Sequence, residues 1–406
     1  MHWYTSLWST NLCTNAFFYN FALRIRNLDR AVYMKKPFIY GTSVDGDNFT
    51  DRVKDTKRLT LDFENGLNTI LISPRRMGKT SLVNRVKSNI SRDDIMIVTM
   101  DIYDCRSEYD FLNRFAASIL KATAGKMDKV ISTVKEFLAR IVPTIKYSLD
   151  PAQEFSLSLG ITPEIYNPEE ILNLPEVIAQ SKGVHIIVCI DEFQQVGEFP
   201  DSLNVQKRMR GVWQHHHNTS YCMYGSKKHL MIKIFQNKRM PFYKFGETLF
   251  LEKIPDEDWV PFIIERFNSG GKIISEEFAQ RICRTVDGYS SYVQELSWDV
   301  YAETDDVVTE ESFNEGIKDL LRQNSALFQT RIETLTSYQM NLLHALCDGV
   351  HSDFGSMRII DKYRLGTKSN ITRLKNSLTD KELIETEKGM TTLADPVFEL
   401  WFKTEY

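Results

Sequence analysis

Apolar residues along this chain change their spacing several times, and each change marks a different kind of element. Over residues 52–63 they recur every three to four positions, the pattern of a helix with one buried face, and Gly66 closes it. Residues 68–72 form a short apolar run that predicts a strand, followed by a polar loop and a helix starting near Lys79. A second strand is predicted over 95–102 and an amphipathic helix over 109–122. Residues 184–190 are almost continuously apolar, as expected for a strand covered on both faces of a parallel sheet. Two more short strands are predicted at 222–226 and 248–251. Strands alternating with helices predict an α/β domain over 34–254 with a parallel sheet.

Residues 143–162 break the alternation and predict an inserted β-hairpin. After Pro255 the strand pattern fades. Helical periodicity over 256–267, 275–286, 292–301 and 310–328 predicts a separate helical lid, spanning 255–330. From Thr336 three short helices precede two short strands, 383–386 and 390–393, around Lys388-Gly389. Helices followed by a small hairpin predict a winged helix over 331–406. Residues 1–33 carry Trp3, Trp8, Phe17, Phe18 and Tyr19 without a basic segment before a clean apolar stretch, so a signal peptide is not expected. They read as a poorly ordered upstream extension that a natural product starting at Met34 would lack.

Composition narrows the partners. The 406 residues carry a formal net charge of −4, so nucleic acid could be held only by a local basic patch. The six cysteines are scattered without a C-x-x-C pair, which fits reduced thiols and a cytoplasmic location. No apolar run reaches the roughly 18–20 residues that span a bilayer, so no membrane association is expected.

The loop after the first strand carries the chemistry. Ser73-Pro74-Arg75-Arg76-Met77-Gly78-Lys79-Thr80-Ser81 links that strand to a helix. A triphosphate needs many donors and little bulk around it, and a loop entering a helix N-terminus supplies both. Gly78 lets the backbone approach, Lys79 faces the β- and γ-phosphates, and the Thr80 hydroxyl ligates Mg²⁺. The pattern G-x-x-x-x-G-K-[ST] is matched except at its first position, where Ser73 stands for glycine. The strand over 184–190 ends in Asp191-Glu192, at the sheet edge where open α/β sheets bind ligands. Asp191 is expected to hold Mg²⁺ through water, and Glu192 to orient or deprotonate the attacking water. His185, inside that strand, reads as a core histidine. His215-His216-His217 cannot all face one ion and read as a polar helix end.

These segments resemble the archaeal-type ATPases of the AAA+/STAND group of P-loop NTPases, over about residues 37–402. The resemblance rests on Phe49-Thr50-Asp51-Arg52, on the 74–82 loop, on Ile190-Asp191-Glu192-Phe193 and on Tyr224-Gly225-Ser226-Lys227. It continues through Pro241-Phe242-Tyr243 and the ending Asp395-Pro396-Val397-Phe398-Glu399-Leu400-Trp401. It implies ATP as ligand, Ser226 as a γ-phosphate sensor, and Phe49 to Arg52 as the linker that packs on adenine. The lid reads Gly288-Tyr289-Ser290-Ser291-Tyr292, without the proline that usually completes the pocket. An arginine contacting the γ-phosphate is expected among Arg208, Arg210 and Arg239, with Arg239 preferred.

From Arg358 to Lys375 six basic residues (Arg358, Lys362, Arg364, Lys368, Arg373 and Lys375) face one acid, Asp361. Such a face suits a recognition helix in a DNA groove. The wing at Lys388, flanked by Glu385 and Glu387, suits a protein-contact or autoinhibitory module equally. The expected function is an ATP-binding, slowly hydrolysing switch whose nucleotide state orients the winged helix. The alternatives are a nucleotide-dependent DNA-binding protein of a mobile element or defence system, and a regulatory scaffold that binds nucleotide without turnover. A protein partner or self-association is compatible with each.

Overall fold

The computed structural model describes residues 36–124 and 167–406. The hairpin expected at 143–162 and the extension at 1–33 lie outside the described residues.

Five parallel strands form the central sheet: β1 (Thr69–Ile72), β2 (Ile95–Asp101), β3 (His185–Asp191), β4 (Thr219–Gly225) and β5 (Glu247–Phe250). Their order across the sheet is β2-β3-β4-β1-β5. β1 and β4 are buried at every position, and β3 at every position between its ends, which explains the apolar runs of β1 and β3. The chain leaves β1, crosses to the far edge as β2, and returns so that β4 lies between β3 and β1. Ile72 is thereby in register with Gly225, and Ile190 with Met223. The C-terminal ends of β1, β3 and β4 meet along one edge, beside the crevice that such a reversal opens.

Two layers cover the sheet. One face carries an aromatic cluster in which Trp213 stacks on Tyr221 at 4.2 Å between ring centroids, with Phe111, Phe115 and Phe242 around it. The other face is covered by α1 (Val53–Glu64) and α2 (Lys79–Asn89). That apolar layer runs without a break through Trp259 and Tyr292 of the lid to Phe398 and Trp401 near the C-terminus. Phe38 ties the N-terminal segment to the lid, its ring 5.6 Å from Phe267 and 6.4 Å from Tyr301.

The lid comprises Asp256–Ser269, Glu276–Thr285, Ser290–Glu303 and Glu310–Glu333. The last two helices touch at Gly316, where a Cβ would lie 2.8 Å from the Val300 backbone nitrogen. Glu310–Glu333 runs past the expected boundary at 330, because Phe328 packs on Phe398 and Trp401 and Ser325 accepts the Trp401 indole N–H. The winged helix follows as Ser337–Cys347, Met357–Tyr363, Lys368–Asp380 and the antiparallel pair Ile384–Glu387 and Met390–Leu393. Lys388 and Gly389 turn that hairpin with φ of 49° and 84°, both left-handed as a two-residue hairpin turn requires. A final helix, Pro396–Glu405, follows the hairpin, where three helices and two strands alone were expected. It starts at Asp395, whose carboxylate accepts the N–H groups of Val397 and Phe398, with Pro396 at the first helical position. Among the described residues, no helix is long and apolar enough to cross a membrane.

Candidate nucleotide site

The loop from β1 to α2 curls around its own lysine. Gly78 takes φ of +84° as the residue before α2, which puts the helix N-terminus at the floor of the loop. Lys79 is 7% exposed, and its ammonium donates to the Ser73 carbonyl at 3.0 Å, the Ser73 hydroxyl at 3.2 Å and the Pro74 carbonyl at 2.7 Å. Burial lowers its pKa to about 8, against the pull of Glu192 and Asp191. Ser73 thus supplies a hydroxyl where the usual pattern has glycine. Ser81 faces backward and accepts the Val44 N–H at 3.0 Å, tying the N-terminal segment to α2.

Two hydrogen bonds draw three strand ends to one point. Thr80 Oγ1 donates to Asp191 Oδ2 at 2.8 Å, and Ser226 Oγ donates to Glu192 Oε2 at 2.9 Å. Asp191 Oδ1 also accepts the Glu192 N–H at 2.8 Å. Burial raises Asp191 to about 6, a state that a divalent cation beside it would reverse. Thr80 and Asp191 together fit a Mg²⁺ ion. Glu192 takes φ of +55°, a left-handed conformation costly for a non-glycine residue and frequent at functional positions.

Sequence reasoning missed Gln194. It is 2% exposed, its amide donates to the same Glu192 oxygen as Ser226, and it lies over Gly225 so closely that a Cβ there would meet it at 1.8 Å. Its position in a short turn after the acid pair carried no periodic signal.

The cleft beside the loop has a volume of about 650 Å³, within the range of small-molecule sites. Tyr40, Phe49, Trp259, Ser290 and Gln294 line it along with the loop, Asp191, Glu192 and Ser226. Phe49 is at the cleft, with the Arg85 guanidinium 5.7 Å from its ring centroid. Arg52 is 5% exposed, donates to the Met77 carbonyl at 3.0 Å and to the Glu252 carbonyl, and pairs with Asp55 at 3.2 Å. Its guanidinium props the loop from behind. The lid reaches the loop without a proline: the Ser291 N–H donates to the Arg76 carbonyl at 3.0 Å.

The three expected arginines lie elsewhere. Arg239 is exposed on the connection before β5, and Arg208 pairs with Glu108 at 2.8 Å. Arg210 sits over the Phe245 ring at 4.7 Å. None of the three lines the cleft. The arginines at the site belong to the loop itself. Arg75 Nε donates to Ser226 Oγ at 3.3 Å and pairs with Glu382 of the winged helix at 3.1 Å. Arg76 pairs with Asp395 at 2.7 Å, donates to the Tyr292 hydroxyl and lies 4.3 Å from that ring's centroid. In the histidine run, His216 is held by the Tyr221 hydroxyl at 2.9 Å and Asn173 at 3.0 Å, and burial lowers it to about 4.

Parallel order, phosphate loop, acidic strand end and terminal hairpin together define the class: this is the fold of a P-loop ATPase of AAA+-like architecture with a C-terminal winged helix. Particular solved structures match it. The Walker-type ATPase PABY2304 of Pyrococcus abyssi superposes with a TM-score of 0.66 at 17% identity, covering 90% of this chain and 99% of that one. The ORC2 protein of Aeropyrum pernix, solved as ADPNP-ADP complexes, gives a TM-score of 0.56 at 12% identity over 91% of this chain and 98% of its own. A family model described as "Probable winged helix domain" matches residues 326–404. None of the curated proteins gives a significant match. At these identities the likeness is one of fold.

Proposed function

We propose that this chain binds ATP with Mg²⁺ and hydrolyses it slowly, as a switch of the AAA+/STAND type in which nucleotide state sets the position of the winged helix. The observation that carries this reading is the pair of hydrogen bonds, Thr80 to Asp191 and Ser226 to Glu192, closing around Lys79. Lys79 and the loop N–H groups bind the β- and γ-phosphates. Thr80 and Asp191 hold Mg²⁺, which when bound neutralises charge developing between those phosphates. Glu192 accepts a proton from water as its oxygen bonds to the γ-phosphorus, the bond to the bridging oxygen breaks, and ADP and phosphate leave. Gln194 and Ser226 hold one Glu192 oxygen and leave the other for water. Phe49, Trp259 and the lid face the base side of the cleft.

The test has two arms. Lys79→Ala should abolish ATP binding with unchanged circular dichroism, because the hydrogen bonds it removes are to Ser73 and Pro74 of its own loop and not to the apolar core. Glu192→Gln should retain binding and lose hydrolysis. Unchanged ATP affinity in the lysine variant overturns the reading, and binding without turnover in the parent favours a non-hydrolysing scaffold.

A second reading, DNA binding through the winged helix, is favoured by Arg358, Lys362, Arg364, Lys368 and Arg373, which are all exposed. Lys375 is half-buried over the Phe354 ring at 5.7 Å. The wing itself is turned to the core, where Glu387 pairs with Lys228.

A further inference from the structure

The phosphate-loop pattern asks nothing of positions 75 and 76, yet both are arginine and their situations differ. Arg76 is locked by a carboxylate, a hydroxyl and an aromatic face, and the carboxylate that holds it also caps the last helix. Arg75 has 48% of its side chain exposed and one carboxylate partner, Glu382, itself 28% exposed. A half-exposed ion pair holds weakly, so Arg75 can change partners while Arg76 stays.

The place where Arg75 waits matters. Its Nε is 3.3 Å from Ser226 Oγ, which is 2.9 Å from Glu192. In an ATP site built on this loop those two residues would face the end of the triphosphate. Charge spreads over the γ-phosphoryl oxygens during transfer, and the planar fork of a guanidinium suits them better than a point charge. Glu382, in the turn between the helix Lys368–Asp380 and the strand Ile384–Glu387, belongs to the winged helix and would move with it.

We infer that Arg75 is the arginine that stabilises the γ-phosphate during hydrolysis, supplied by the same chain, and that Glu382 holds it back until the winged helix moves. This rests on the reading of the loop as an ATP site. Docking of the winged helix and turnover are then alternatives, competing for one side chain.

The full chain carries the test: steady-state hydrolysis of Mg²⁺-ATP, with affinity measured separately by a fluorescent ATP analogue. Glu382→Gln should raise kcat about two- to fivefold, the worth of a half-exposed pair. Arg75→Ala should lower it about a thousandfold while analogue affinity stays within about threefold. Arg75→Lys should recover only part of the loss. In the double variant the gain from Glu382→Gln should vanish. A gain that persists without Arg75 overturns the inference, since Glu382 would then act through Lys227, 3.7 Å away. Parent-level turnover in Arg75→Ala overturns it without any reference to Glu382. An unaltered rate in Glu382→Gln, with an unaltered melting temperature, removes the gating. Tight binding with no turnover in either the parent or Glu382→Gln also overturns it and leaves the site intact. Failure of the parent to bind the analogue removes the ATP site itself.

Discussion

Replacing Asp191 by asparagine tests the electrostatics of the site before any turnover is measured. Burial, opposed by the Thr80 hydroxyl, raises this carboxyl from 3.8 to about 6. A carboxyl whose folded value exceeds its unfolded value favours the folded state when protonated. Nucleotide-free stability is therefore highest below about pH 4 and falls as pH climbs to about 6, after which the full penalty applies. At about 1.4 kcal/mol per pH unit the penalty is about 3 kcal/mol. Asparagine does not ionise and fits the same contacts: its oxygen accepts the Glu192 N–H, and its amide donates to Thr80 Oγ1 once that hydroxyl turns. Lys79 loses an acid that supports its charge, which returns part of the gain. The expected net is about 1–2 kcal/mol above pH 7 and close to nothing at pH 4. In melting temperature that is about 2–8 °C. Thermal melts of the protein in chelator at pH 4, 6 and 8 measure it, and Lys79 titrates only at the upper end of that window. A variant that melts at or below the parent at pH 8 refutes the argument, as does a gain equal at pH 4 and 8. The same variant should bind nucleotide with weaker Mg²⁺ dependence, so the stabilising change is costly to function.

Trp213→Ala removes a side chain 1% exposed at the centre of the aromatic layer, and should cost about 3–5 kcal/mol in urea unfolding. A loss below about 1 kcal/mol would contradict that packing. If the winged helix binds DNA, Arg358→Ala with Arg373→Ala should flatten the salt dependence of binding by about two units. ATP affinity should be unaltered, and a band shift at two salt concentrations beside an ATP titration separates the two effects.

The short-range features of this protein were legible in the sequence. β1 and β3 announce themselves because strands buried on both faces must be apolar throughout, and the phosphate loop lies within a dozen residues of one strand and one helix. Asp191 ends β3 and Glu192 follows it directly, so the sheet edge was marked by composition alone. Helix ends were less visible: Glu310–Glu333 continues because Phe328 packs on Phe398, a partner 70 positions away, and the last helix depends on Asp395, a cap without periodicity. Which arginines lie beside the loop was decided by tertiary structure. Any exposed arginine has the length and charge to meet a γ-phosphate, and sequence spacing pointed to Arg239 beside a motif. Folding left Arg239 on an outer loop and set Arg75 between Ser226 and Glu382, residues 151 and 307 positions away. Gln194 was hidden for the same reason, since its task is defined by Glu192 in a left-handed turn and by the bare backbone of Gly225 on the next strand. A contact between distant residues leaves no periodic mark on the sequence, because what it requires is a place in space and the sequence specifies that only through the whole fold.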